Sequence, residues 1–486
     1  MGEGTGCTGV ETFIFLTIMP SDENGGSRNA RATEYNRVVA VPARTIPFQT
    51  LQVRNVSRSV VLITYDSLRA DHCGFMGYGR DTTPTLDRMA NEGLVFENAV
   101  ASGVPTIASM TSVMTGRHSL ASPEVGRTDE QRKQVTSRPK LAEVLSREEY
   151  ATGAMSPNPP ASSYFGFDEG FVWFEDFLDQ QKGVVGRMWN RIFRRSIEGG
   201  GLSTYLRLAR NVITKNEILR PWEDFYDQIL AWRERVEEPY FLWVLLLEPH
   251  HPWMVPTGEQ RWSSRWDKYV AFRQYFEMFN NGWEPEFSPR ERQRLIDLYD
   301  DSTRYGDRFL DRLHRDLADD NPVFVVHADH GEEFGGHGRY GHQPFLYEDL
   351  IHVPLVVSNA DRTGWIERPV GLRSIAPTVA DIANADHSFP AQSLFEESDP
   401  WVTSKVFAEG SRRAAVRTAR GKYLKSARGP ELYDLASDPD EQHNRAAAEA
   451  ETVGTFAELL AHDRHAEAEA RAIDGAIDEL VAEGSL

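Results

Sequence analysis

Residues 321–358 read NPVFVVHADHGEEFGGHGRYGHQPFLYEDLIHVPLVVS, two apolar runs joined by a loop that is rich in glycine and charge. The runs Val323–Val326 and Val353–Val357 predict short strands that are buried on both faces, as in a parallel sheet. Asp329 and His330 follow the first of these strands, and open α/β sheets bind ligands at the carboxyl ends of their strands. Carboxylate oxygen and imidazole nitrogen are ligands that divalent cations accept. The stretch therefore predicts half of a metal site.

The composition is that of a large, soluble and acidic protein. A chain of 486 residues predicts one large domain with a smaller one. The 73 acidic residues outnumber the 53 lysines and arginines, so the formal net charge is -20. Because nucleic acid and anionic membranes require a basic protein surface, we predict neither as a partner. An acidic surface also suits a protein kept soluble in concentrated salt, and the sequence leaves this alternative open.

The cysteines and the N-terminal segment predict a cytoplasmic protein. Cys7 and Cys73 are too few for a disulfide framework and fit a reducing compartment. The apolar run Phe13–Met19 is too short to span a bilayer, and no basic segment precedes it. Residues 1–58 show no clear periodicity, and we predict that they form a poorly structured N-terminal extension.

Two further segments carry candidate site residues. The first predicted buried strand, Ser59–Thr64, is followed at once by Asp66, which can be a functional acid or a helix N-cap. The segment Gly103–Arg117 predicts a turn and then a helix that ends at Gly116. Thr106 lies in the first turn of that helix, where free N–H groups favour an anion. From the residues alone, Thr106 is either an N-cap or a nucleophile.

The remaining pattern predicts one more site strand and a small C-terminal unit. The buried strand Tyr240–Leu247 delivers Glu248–Pro252, with two adjacent histidines, to the same end of the sheet. One of these histidines is expected in the site and the other can be structural. Glu175–Val236 predicts a helical excursion, and Val406–Leu435 predicts short strands of an antiparallel subdomain.

In this order and at this spacing, the segments resemble the sulfatase family of the alkaline phosphatase superfamily. The resemblance covers Ser59–Asn444 and rests on Asp66 with the following LRADHCGFMGYGRDTTPTLDRMANEG, Thr115–Arg117, Glu248–Pro252, Asp329–Gly331 with Gly341-His342, Leu432–Leu435 and Asp438-Pro439. It implies an α/β fold with a large, mostly parallel sheet flanked by helices and a small C-terminal antiparallel α+β subdomain. The implied domains are a catalytic domain at 59–385 with a helical insertion at 175–236, a small subdomain at 386–444 and a helical tail at 445–486.

The resemblance also implies a mechanism. One divalent metal ion, Ca²⁺ or Mg²⁺ with Mn²⁺ or Zn²⁺ as alternatives, would be held by Asp66, Asp329 and His330. Thr106 would be the nucleophile. His250 and His342 would bind the anionic group or move a proton to the leaving oxygen. The implied activity is that of a sulfuric ester hydrolase, with phosphoesterase activity as an alternative, on small-molecule or carbohydrate esters.

The sequence departs from the family pattern at the nucleophile. Classical sulfatases place a cysteine or serine there, within Cys/Ser-x-Pro-x-Arg, and convert it to formylglycine, whereas this chain reads TIASM from Thr106. A lysine that usually contacts the transferred group is replaced by His342. The usual Gly-Lys-Trp-His-Leu-Gly segment is also missing, with Met155–Pro160 in its place.

Two alternatives to a sulfatase therefore stay open. Threonine nucleophiles are typical of superfamily members that act on phosphodiesters or transfer phosphoryl-type groups, and the lost cationic contacts would suit an inactive binding protein. A two-metal relative would need extra ligands, for which Asp300, Asp301, His337 and His387 are candidates. No segment shows that pattern, so one ion is the preferred interpretation.

Overall fold

The computed structural model describes residues 57–119, 128–176, 221–408 and 411–482. The predicted N-terminal extension at 1–58 falls almost entirely outside these residues, and so does most of the predicted helical insertion, at 177–220. No helix within the described ranges combines the length and the apolar composition that a membrane span requires.

The strands and α-helices of the described residues have the following bounds. The strands are β1 Val60–Tyr65, β2 Leu94–Phe96, β3 Ala99–Val100, β4 Ala151–Met155, β5 Trp173–Glu175, β6 Tyr240–Leu246, β7 Val323–Ala328, β8 Glu333–Phe334, β9 Tyr340–Gly341, β10 Leu355–Ser358, β11 Gly364–Ile366, β12 Val370–Gly371, β13 Trp401–Ala408, β14 Ser411–Thr418, β15 Gly421–Ser426 and β16 Gly429–Asp434. The helices are α1 Pro84–Glu92, α2 Thr106–Thr115, α3 Thr128–Thr136, α4 Leu141–Arg147, α5 Glu223–Arg233, α6 Asp267–Asn280, α7 Pro289–Asp316, α8 Glu348–Ile351, α9 Ile375–Ala383 and α10 Ala450–Ala482.

The central sheet has eight strands in the order β11-β2-β10-β7-β1-β6-β4-β5. All of its pairings are parallel except those that β10 makes with β2 and β7. The predicted large, mostly parallel sheet is therefore confirmed. The second apolar run of the quoted stretch is an exception, because it forms an antiparallel strand that begins at Leu355.

The middle of the sheet is buried on both faces, which explains its uninterrupted apolar runs. Every residue of β1, β6 and β7 is buried. Ser288 is the N-cap of the long helix α7, and its hydroxyl accepts a hydrogen bond from the N–H of Glu291 in a capping box. Its inner face carries Leu295, Leu298, Phe309 and other buried residues, as its helical spacing predicts.

A second, four-stranded sheet lies at the C-terminal end of the chain. β13, β14, β15 and β16 form an antiparallel meander, which confirms the predicted small antiparallel subdomain. Val416, Tyr423 and Leu432 of this sheet pack with Leu460 of α10 in a separate apolar cluster.

Register brings three strand ends level at one edge of the central sheet. β1 lies between β6 and β7, and Tyr65 is opposite both Leu246 and Ala328. The residues that follow these strands therefore emerge side by side.

Candidate active site

The ends of β1 and β7 bring two carboxylates and an imidazole together. Asp66, Asp329 and His330 are all fully buried. One ligand atom of each lies within 4.8 Å of the others. These are the three residues that the sequence predicts as metal ligands.

Local backbone geometry orients the two carboxylates. Ser67 adopts the left-handed conformation with φ 70°, so that its N–H donates to Asp329 Oδ1 at 3.0 Å and its hydroxyl donates to Asp66 Oδ1 at 2.9 Å. The N–H of His330 donates to the same Asp329 oxygen at 2.8 Å. Asn158 donates from its side-chain amide to Asp66 Oδ2. Each carboxylate is thus fixed before any ligand arrives.

Two buried oxygens in this site have no hydrogen-bond partner among the described residues. They are Oδ2 of Asp329 and Oδ1 of Asn158. Burial, together with the nearby charge of Asp329, raises the pKa of Asp66 to about 7. A buried oxygen without a donor costs free energy, and a cation would satisfy it. The donor set of two carboxylates and one imidazole therefore fits a divalent ion.

Thr106 is the first residue of α2 and lies beside the predicted ligands. Its side chain is 2% exposed, and its Oγ1 is 3.2 Å from His330 Nε2. Because His330 Nδ1 lies 2.9 Å from the carbonyl oxygen of Gly331 and must donate to it, Nε2 is the acceptor in the tautomer that carries its proton on Nδ1. The N-cap of α2 is Pro105, so Thr106 is not the N-cap. Ser109, one turn later, donates to the carbonyl oxygen of Asp329 at 2.6 Å and ties α2 to the end of β7.

Three further histidine rings extend the site from His330. The ring centroids of His330 and His342 are 4.6 Å apart, those of His342 and His250 are 4.8 Å apart, and those of His342 and His251 are 4.7 Å apart. His250 and His251 lie in the loop that follows β6. Burial, with the nearby His342, lowers the pKa of His250 to about 4, so this ring is neutral at physiological pH.

Glu332 holds two of these rings from behind. It is fully buried, and the Nδ1 atoms of His251 and His342 each lie 3.1 Å from its carboxylate. Burial alone would raise the pKa of Glu332, but the two histidines hold the pKa below its usual range.

Sequence reasoning missed Asn158, Glu332 and the site position of His251. Asn158 follows β4, the strand beside β6. It could therefore have been predicted from the rule that ligands bind at the carboxyl ends of strands. Glu332 is one of several polar residues in the same loop, and no rule based on sequence spacing selects it as the site residue.

The candidates for extra metal ligands lie elsewhere. Asp300 accepts hydrogen bonds from His72, Tyr78 and Arg80. Asp301 accepts the N–H groups of Arg261, Trp262 and Ser263. His337 stacks on Tyr347, and His387 lies near Asp381. The structure thus places none of the four with Asp66 and Asp329.

Comparison with known proteins identifies relatives of the whole fold. Residues 58–385 match the family model described as Sulfatase. An arylsulfatase of Clostridium perfringens (strain 13 / Type A) is 23% identical in an alignment of 458 positions that covers 79% of this chain and 89% of that protein. The phosphonate monoester hydrolase of Agrobacterium radiobacter has a similar structure, with a TM-score of 0.61 and 18% identity over 84% of this chain and 95% of its own. A structure of a protein in complex with its substrate D-glucosamine-2-N,6-O-disulfate gives a TM-score of 0.63 and 15% identity, and covers 85% of this chain and 99% of the other.

Proposed function

The chain belongs to the sulfatase family of the alkaline phosphatase superfamily, hydrolases of sulfuric esters, and we propose that it cleaves its ester with Thr106 as the nucleophile. The single observation that carries the proposal is the 3.2 Å distance between Thr106 Oγ1 and His330 Nε2, beside the buried Asp66 and Asp329. A hydroxyl at a helix N-terminus, next to a metal-ligand set, is placed to become an alkoxide.

In the proposed reaction, Thr106 Oγ1 attacks the sulfur or phosphorus atom in line with the leaving ester oxygen. The covalent Thr106 ester is then cleaved by water, which restores the hydroxyl. A divalent ion on Asp66, Asp329 and His330, which we propose to be Ca²⁺ or Mg²⁺ with Mn²⁺ or Zn²⁺ as alternatives, would supply stabilisation of negative charge.

His250 and His342 are assigned to the oxygens of the transferred group and to the proton of the leaving oxygen. The ring of His342 packs against that of His330, and the ring of His250 packs against that of His342. Since the ring of His250 is neutral at physiological pH, it contributes no charge to the binding of the anionic group.

The preferred substrate is a sulfate ester of a small molecule or carbohydrate. The family, the arylsulfatase relative and the sulfated glucosamine in one structural neighbour support sulfate. The threonine at position 106 and the similarity to a phosphonate monoester hydrolase favour the second candidate, a phosphodiesterase or phosphoryl-type transferase. A third candidate, an inactive binding protein, is motivated by the missing arginine and lysine of the family signature.

The test is turnover of aryl sulfate, aryl phosphate and aryl phosphodiester by the purified full chain, with and without a chelator. We expect chelator-sensitive cleavage, and the preferred ester decides between sulfur and phosphorus. Thr106→Ala should lower kcat by at least about 10³-fold, whereas Thr106→Ser keeps a hydroxyl and should retain part of the activity.

Thr111→Ala is the matched control, because Thr111 is buried on the same helix and its hydroxyl donates to the carbonyl of Ile107, its one recorded partner among the described residues. This variant should turn over like the wild type. Full activity of Thr106→Ala would refute the nucleophile assignment. No turnover of any ester by a folded, metal-loaded protein would favour the binding protein.

A further inference from the structure

A cavity of about 170 Å³ lies between the segment that follows His342 and the C-terminal sheet. Residues 345–347 line it together with residues of β14, β15 and β16. Of the described residues that line this cavity, none belongs to the candidate active site. We propose that the cavity is a separate binding site, for a small organic anion that carries a single ring.

The charge of the cavity is opposite to that of the whole chain, whose formal net charge is -20. Arg413, Lys425 and Arg428 line the cavity, and Glu431 is the one acid among its described lining residues. Since charges further away than about 10 Å are largely screened at 0.1 M salt, the residues at the cavity decide which ligand charge it attracts. Three cations against one carboxylate favour an anion.

Two of the three cations are available to a ligand. The side chains of Lys425 and Arg428 are exposed and have no ion-pair or hydrogen-bond partner in the described part of the chain. A tight turn brings both to the same cavity, because Ser426 pairs with Gly429 and the hydroxyl of Ser426 accepts the N–H of Arg428 at 3.1 Å. Ammonium and guanidinium groups form charge-assisted hydrogen bonds with carboxylate and sulfate. These two side chains would therefore hold the anionic group.

The apolar side of the cavity is held in place by stacked arginines. Leu346 is 2% exposed, and Phe345 beside it is half-buried. The guanidinium carbons of Arg339 and Arg413 lie 3.8 and 4.1 Å from the ring centroid of Phe345. Arg413 also donates to the carbonyl oxygen of Pro344 at 2.5 Å. A surface that is already ordered lowers the entropic cost of binding a ligand.

The volume and the mixed lining of the cavity indicate the class of ligand. At about 30 Å³ for each water molecule, the cavity has room for roughly six waters. This is more than a bare sulfate or phosphate ion fills, and it suits one ring with its anionic group. The ring would pack beside Phe345 and Leu346 while its carboxylate or sulfate meets Lys425 and Arg428. Benzoate and glucuronate are suitable probes, one with an aromatic ring and one with a sugar ring.

The experiment is a calorimetric titration of the full chain, in chelator, with benzoate, glucuronate, inorganic sulfate and the neutral benzamide. Without a cation, the carboxylates of Asp66 and Asp329 repel anions from the candidate active site. At least one ring-bearing anion should bind at one site per chain, more tightly than inorganic sulfate or benzamide. Lys425→Met/Arg428→Met keeps two apolar stems but removes both charges, and it should weaken this binding by at least about tenfold.

Arg412→Met/Arg420→Met is the matched control. Both arginines are exposed on or beside the same sheet, and neither lines the cavity. This variant loses the same charge and should bind the anion as the wild type does, with circular dichroism showing both variants folded. The proposal would be overturned if neither ring-bearing anion binds, if inorganic sulfate or benzamide binds as tightly, or if the two double variants weaken binding equally. None of these outcomes depends on ester turnover, so they test the cavity independently of the proposed function.

Discussion

At the scale of single residues, Asp329 has surroundings that are favourable to one of its oxygens and unfavourable to the other. Oδ1 accepts two backbone N–H groups, from Ser67 and His330. Oδ2 is buried and finds no hydrogen-bond partner in the described part of the chain, and the charge of Asp329 adds to burial in raising the pKa of Asp66. A bound cation would satisfy Oδ2 and relieve the repulsion between the carboxylates.

Asp329→Asn should therefore remove the stabilisation that a divalent ion gives. An ion whose free concentration is about 100 times its Kd raises the free energy of unfolding by about 2.7 kcal/mol. We expect this increase for the wild type and no increase for the variant. In chelator the variant should be at least as stable as the wild type, because the amide keeps an acceptor oxygen and removes a buried charge. Urea unfolding with Ca²⁺, Mg²⁺ or chelator measures both effects.

The exposed Asp399 is the control position, and Asp399→Asn should respond to the ion as the wild type does. An equal response from Asp329→Asn would mean that the ion binds elsewhere.

The sequence predicts individual site residues only where a strand end or motif marks them. Asp66, Asp329 and His330 follow strands, and the structure brings them together. Glu332 acts through side-chain hydrogen bonds to histidines 81 and 10 positions away in the chain, and such a relation between distant segments has no sequence pattern.

At the scale of elements, Asp307 of α7 caps α1 from a neighbouring helix. Its carboxylate accepts the N–H groups of Thr85 and Leu86, at 2.9 and 3.0 Å. Asp307 is 2% exposed, and burial raises its pKa to about 7 in spite of these bonds.

This raised pKa predicts a pH dependence of stability with a definite sign. Between about pH 4 and 7, the folded chain keeps a proton on Asp307 that the unfolded chain has lost. The contribution of Asp307 is therefore full below its unfolded pKa and is lost as the pH rises through about 7. The stability of the wild type relative to Asp307→Asn should fall by about 2 kcal/mol from pH 5 to pH 8, as urea unfolding at both pH values can measure.

Asp311 lies one turn further along α7, and its side chain is 36% exposed. The stability of the wild type relative to Asp311→Asn should hardly change with pH. A flat difference for Asp307→Asn as well would show that Asp307 stays ionised in the folded protein.

Elements with a strong local pattern were predictable, and strand direction was not. The apolar run of β7 and the helical spacing of α7 each arise from contacts of a single element with the core. The antiparallel direction of β10 depends on how the long loop between Ala328 and Leu355 returns to the sheet, and an apolar run reads the same in both directions.

At the scale of the whole molecule, a buried ionic cluster joins the C-terminal sheet to the large domain. Lys422 of β15 is fully buried, and its Nζ lies 3.1 Å from Glu348 of α8 and 2.8 Å from Glu441. Arg417 of β14 also pairs with Glu348, at 3.1 Å. The periodicity of these strands predicts a separate antiparallel sheet. It does not predict that buried charged residues connect this sheet to the rest of the protein.

Lys422→Met should therefore weaken the attachment of the C-terminal sheet to the rest of the protein. Removing one partner of a buried ion pair leaves the remaining charge buried and unpaired, which lowers the free energy of unfolding by about 3–5 kcal/mol. Lys422→Met removes the cation from between Glu348 and Glu441, while its apolar stem still fills the space. We expect a loss of this size in urea unfolding, with earlier proteolysis around β13–β16. Lys425→Met, an exposed position on the same strand, should change stability by less than about 0.5 kcal/mol. Equal stability of the two variants would mean that apolar packing, and not the buried charges, holds the C-terminal sheet in place.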